Sequence, residues 1–196
     1  MLYRVGLEEG DSVQLWMQPT GGELPYEPWL FYGNNLANIG SFLMGTNCYG
    51  YMSGQYRRGW YNPFTNEWTE YGPQPGDLSG QASVDDAKIR KVIGREFEWD
   101  KDEFVDIVSA DLDSVGLDFI EIDRSSEISG NGYRVALVFS DGDYHWYRQN
   151  PDGSWSHKPG NTPVSNVDAA RNRIWDPENC DLGDYTFYGY YAVIPQ

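Results

Sequence analysis

Basic residues are scarce in this chain. Its 14 Lys and Arg stand against 30 Asp and Glu, for a net charge of −16 and a pI near 4.3. Such a surface repels phosphate backbones and anionic headgroups, so neither nucleic acid nor a membrane is an expected partner. Long hydrophobic runs are missing too, since no stretch approaches the roughly 20 apolar residues of a membrane helix. The opening "MLYRVGLEEGDSVQLW" lacks the basic start and apolar core of a secretory leader. The expected location is therefore the cytoplasm, or outside the cell by a dedicated secretion system that needs no leader. Two cysteines, Cys48 and Cys180, are too few for a disulfide scaffold. Histidine is equally rare, with only His145 and His157.

Aromatics are plentiful, at 15 Tyr, 8 Trp and 8 Phe, and 22 Gly and 11 Pro are scattered along the chain. This composition suits a folded, loop-rich and β-rich protein. The 196 residues suit one domain, with 1–40 as an N-terminal extension of short strands and 41–196 as the core. Within "GTNCYGYMSG", Thr46 and Asn47 are candidate N-caps for a short helix beginning at or beside Cys48, although Gly50 and Gly54 weaken it. Residues 59–82 form a long Pro/Gly/aromatic segment. Its Trp60, Tyr61, Phe64, Trp68 and Tyr71 suit a substrate wall or a satellite core.

Ser83, with Asp86 three residues on and a stripe of Ala87, Ile89, Val92, Ile93 and Phe97, predicts a helix. A second helix is expected from Asp100, with Phe104, Val105, Ile107, Val108 and Leu112 facing inward. Its acids mark a solvated face and fail the calcium-loop pattern at Val115. From residue 117 the texture turns to strands, and 133–158 predicts a three-stranded antiparallel meander. Helices followed by antiparallel strands make an α+β fold, with N-terminal helices packed on a C-terminal sheet.

Both histidines fall on one hairpin, "DYHWYRQNPDGSWSHKPG". The simplest register around "NPDG" sets His145 opposite 157 or 158, within imidazole reach, with a bulge at Gly153. That pair admits three readings: a metal pair, a catalytic pair, or two unrelated strand residues. A metal site needs further ligands at suitable spacing, and the chain has no CxxC or HxxxH. A catalytic pair needs a nucleophile, and Cys48 qualifies in type. A thiolate at a helix N-terminus beside an imidazole is stabilised by the dipole and by the ion pair. Cys180, in the acidic "PENCDLGD", is expected to hold a raised thiol pKa and a structural role.

The cysteine at a helix start, followed much later by a strand-opening histidine and a second histidine a dozen residues on, resembles the papain-like fold. The nearest likeness is to its NlpC-type amidases, and to bacterial papain-like proteins of the effector or toxin kind. In this chain Asn47 precedes the cysteine, where that family usually has Asp. The resemblance implies Cys48 as nucleophile, His145 as base and then acid, and His157 as its orienter, with Asn161 or Asp143 as substitutes. It implies an oxyanion site at the Cys48 N–H, with Asn47, Tyr49, Tyr51 and Trp146 lining it or the substrate. Asn47 is better suited to capping the helix than to catalysis. No cofactor is implied. The expected partners are a protein or cell-wall peptide substrate and an inhibitory, immunity-type protein. Hydrolysis of an amide is the expected reaction. Acyl transfer or deamidation on the same triad is an alternative, and so is a non-catalytic glycan- or protein-binding module with an aromatic groove.

Overall fold

The computed structural model describes residues 47–55, 61–62, 67–68, 73–81, 90–93, 96–160, 162 and 164–196. The expected 1–40 extension, Thr46, Trp60, Phe64, Tyr71 and Asn161 lie outside the described residues. Two helices are described, α1 (Cys48–Ser53) and α2 (Lys101–Ser114). Two short antiparallel pairs join β1 (Tyr61–Asn62) to β2 (Glu67–Trp68) and β3 (Arg90–Ile93) to β4 (Glu96–Trp99). The remaining strands are β5 (Leu117–Ile122), β6 (Tyr133–Phe139), β7 (Tyr144–Gln149), β8 (Trp155–His157) and β9 (Thr186–Pro195). They form one antiparallel open sheet in the order β5-β9-β6-β7-β8. The fold is mixed α+β, and β6-β7-β8 is the expected meander.

The helix expected from Ser83 is corrected over its second half, where β3 and β4 pair Val92 with Phe97 and Arg90 with Trp99. The local cause is visible in the letters. "EFEW" alternates with period two, Val92 and Ile93 are β-branched, and Gly94 interrupts the helical pattern.

Helix α2 starts where Asp100 accepts the Glu103 N–H at 3.3 Å, and Asp102 and Glu103 lie at the favourable end of its dipole. Phe104, Ile107, Val108 and Leu112 recur at helical spacing and are buried. They pack with α1 on one face of the sheet, against Val135, Leu137, Trp146, Tyr191 and Val193. Phe104 alone, with no exposure, stabilises the fold by roughly 1.5–3 kcal/mol. The opposite face carries Ala136, Val138, Tyr147, Trp155 and Tyr190, covered by Ile174. Alternation along β7 therefore sends Trp146 to the helices and His145 and Tyr147 to the other side.

Candidate active site

The β7–β8 loop sets the geometry of the histidines. Asn150 donates its N–H to Ser154 O at 2.7 Å, and Gly153 reaches back to Asn150 O at 2.9 Å. Gly153 takes a φ of +82°, a left-handed conformation that suits glycine. This loop pairs Tyr147 with His157, Arg148 with Ser156 and Gln149 with Trp155. The expected register, His145 opposite 157 or 158, is thereby corrected: His145 lies diagonally across from His157 on the same face. Diagonal neighbours are separated by about 7–8 Å at Cα, which two imidazoles can span. They do so, with His145 Nε2 at 2.8 Å from His157 Nδ1 and the rings nearly perpendicular at 81°. Tyr147 stacks on His157 at 4.8 Å and meets His145 edge-on at 5.3 Å.

The hydrogen-bond chain assigns the protons. His157 Nε2 lies 3.2 Å from Val167 O, which can only accept, so that nitrogen donates. In the neutral ring Nδ1 then accepts, and His145 Nε2 is the donor to it. The free base nitrogen of His145 is Nδ1. Backbone bonds between His157 and Ser165, both at 2.8 Å, anchor that residue on its other side.

Cys48 is the first residue of α1. Asn47 caps the helix, its Oδ1 accepting the Gly50 N–H at 2.9 Å while its Nδ2 donates to Pro73 O at 2.9 Å. Three hydroxyls then lock the helix. Tyr49 donates to Asp111 Oδ2 at 2.8 Å, and Tyr133 donates to Met52 O at 3.0 Å. Tyr51 lies 2.8 Å from Ser156 Oγ, which spends its own proton on Asn150 Oδ1, so Tyr51 is the donor. The backbone N–H of Trp146, next to His145 in the chain, acts to lower the Cys48 thiol pKa. Helix α1, which opens on Cys48, packs against β7 and β8.

The four side chains expected at the oxyanion or substrate site are engaged elsewhere. The Tyr49 and Tyr51 hydroxyls are committed to Asp111 and Ser156. The Trp146 indole is wholly buried among Phe104, Phe119 and Tyr191. Asn47 is a cap. The expected low-pKa thiolate is corrected as well. Burial pushes the Cys48 thiol up to about 12, helped by the Asp143 carboxylate. The N–H groups of Trp146 and Tyr49 act in the other direction, as does Lys158, and do not prevail. Asp143 is held by the Tyr185 hydroxyl at 2.6 Å and the Tyr144 N–H at 2.8 Å, and not by either histidine. Burial, then the neighbouring His157, pulls His145 down to about 3, and burial also lowers His157. At rest the site holds a neutral thiol and two neutral imidazoles, since desolvation outweighs the dipole of a six-residue helix.

Two residues escaped the sequence reading. Asp111, on the apolar stripe of α2, is fully buried and accepts from Tyr49, the Gly76 and Ser79 N–H groups, and Ser79 Oγ. Its position three and four residues after Val108 and Ile107 was the available signal. Lys158, next to His157, is also fully buried. Cys180 is a free, half-buried thiol donating to Pro177 O at 3.6 Å, raised to about 11 first by burial and then by Asp168. Among the described residues no three His, Cys, Asp or Glu side chains gather as a metal site, and no helix is long and apolar enough to cross a membrane.

No family model matches the chain, and no solved structure matches it significantly. It is 35% identical over 144 residues to insoluble matrix shell protein 1 of Ruditapes philippinarum, a match spanning 72% of this chain and 83% of that protein. The chain belongs to the family of insoluble matrix shell protein 1.

Proposed function

We propose that this protein is a papain-like cysteine enzyme of the NlpC-type arrangement, cleaving amide bonds in a protein or peptide. The observation that carries this reading is the His145–His157 bond, whose polarity leaves His145 Nδ1 as a free base on β7, against which the helix opening on Cys48 packs. The ground state is neutral, so the thiol proton leaves for His145 Nδ1 as the sulfur attacks the carbonyl carbon. The Cys48 N–H, at the first helical position, receives the oxyanion. The carbon–nitrogen bond then breaks, His145 returns the proton to the departing amine, and a thioester remains. Water hydrolyses it; an amine in place of water makes the same site an acyltransferase.

A second reading follows from the relative's name: a non-catalytic matrix or binding module in which the histidines only pack a hairpin. That name also favours export over the cytoplasm. The effector role and its inhibitory partner rest on the papain-like resemblance alone.

The discriminating experiment incubates the purified chain with a complex protein extract and maps new N-termini and new amide links by mass spectrometry. Cleavage or linkage lost in both Cys48→Ala and His145→Ala supports the enzyme. Identical products from wild type and Cys48→Ala would sink it and leave the matrix module.

A further inference from the structure

The β7–β8 ladder ends at Tyr147 and His157. Continuing that pairing by one step would set Lys158 opposite Trp146, whose backbone N–H lowers the Cys48 thiol pKa. Alternation also fixes the face. Ser156 points to α1, where Tyr51 donates to it at 2.8 Å, so Lys158, two residues on, belongs to that face while His157 lies on the other. The side chain is fully buried in a chain of net charge −16, and its ammonium donates to Gly160 O at 2.6 Å. Arg148, on the same face, is spent over the Tyr133 ring at 3.6 Å.

We propose that Lys158 is the cation of the site, its buried ammonium on the α1 face stabilising negative charge on the Cys48 sulfur while the imidazole pair acts from the opposite face. The inference rests on Cys48 being the nucleophile of the proposed reaction. Lys158 is a positioning residue for charge, not a proton carrier. Lys158 and Cys48 couple electrostatically, the ammonium lowering the thiol pKa while burial pulls the lysine down to about 8. The other groups bearing on this sulfur are Asp143, which opposes a thiolate, and Tyr147 and Tyr185, whose phenols burial keeps neutral. His145 and His157 are neutral above their lowered pKa values, and Tyr51 and Arg148 lie further along the α1 face. Below about 8 the ammonium is charged and supports the thiolate; above it that support is lost.

The test is the rate of iodoacetamide alkylation at Cys48, read by mass spectrometry, with Cys180 in the same chain as reference. Lys158→Met is expected to slow Cys48 about tenfold near neutral pH, one unit of thiol pKa, with Cys180 unchanged, and Lys158→Arg to restore most of the rate. The ratio of wild type to Lys158→Met should shrink toward one as the pH passes about 8. Should neither variant fold, the wild-type profile suffices, because its slope must dip where Lys158 titrates. Equal rates in wild type and folded Lys158→Met, a pH-independent ratio, or a wild-type slope with no dip would overturn the proposal. A chain that neither cleaves nor links anything yet shows the Lys158 effect overturns the enzyme reading and leaves only the electrostatic pairing of Lys158 with the Cys48 thiol.

Discussion

His145 and His157 share one proton-ordered bond of 2.8 Å although neither is the other's cross-strand partner. The Val167 carbonyl fixes the direction of that bond from the far side of His157. His157 thus holds His145 in one tautomer and one orientation without accepting its charge.

In the proposed mechanism, removing His157 should cost rate more than stability. His157→Ala is expected to lower Cys48-dependent turnover by roughly a hundredfold, the scale of a mispositioned general base. His157→Asn, whose Oδ1 can still accept from His145, should retain part of it. The measurement is kcat on any substrate the extract experiment identifies; an unchanged kcat in His157→Ala would remove His157 from the site.

Acid should destabilise the fold through the histidines. The folded pKa of His145 is about 3, below its unfolded value of 6.5, so the unfolded chain binds the proton first. Stability is full above about pH 6.5 and falls below it, by about 1.4 kcal/mol per pH unit for this one residue. Thermal melts of wild type and His145→Gln from about pH 7 to about pH 4 should converge on acidification. Parallel curves would mean that His145 is not held neutral.

Asp111 ties α2 to α1 and to the 73–80 turns through four accepted hydrogen bonds. Asp111→Asn turns an N–H₂ toward groups that are themselves donors, and is expected to cost about 3 kcal/mol in denaturant unfolding. Tyr49→Phe removes one bond and should cost about 1–2 kcal/mol. A neutral Asp111→Asn would show that the carboxylate is not satisfied as described.

Gly50 inverts a common rule. Replacing a mid-helix glycine by alanine usually stabilises by up to about 1 kcal/mol. Here a Cβ would sit 2.5 Å from Gln55 O and 3.1 Å from Pro73 Cδ. Gly50→Ala is therefore expected to destabilise by about 1–3 kcal/mol and to shift Cys48 reactivity, because α1 must move. A higher Tm in the variant would contradict this packing.

Local rules were legible in the letters. Asn47 as a cap, a helix opening on Cys48, α2 from Asp100 and the β6-β7-β8 meander all follow from capping, periodicity and turn chemistry acting over a few residues. The apolar stripe of 87–97 misled because Val92, Ile93 and Phe97 also suit strand alternation, and the pairing of β3 with β4 decided between the two periods.

The sequence by itself determined that both histidines lie on one hairpin, and that a cysteine opens a short helix. Tertiary structure decided the rest. The five-residue course of the Asn150–Ser154 loop set a diagonal register in place of a direct one, because one hydrogen-bonded turn shifts every pair beyond it. Packing turned Tyr49, Tyr51 and Trp146 into the interior and left Cys48 and His145 neutral, since burial is a sum over the whole fold that no local pattern contains.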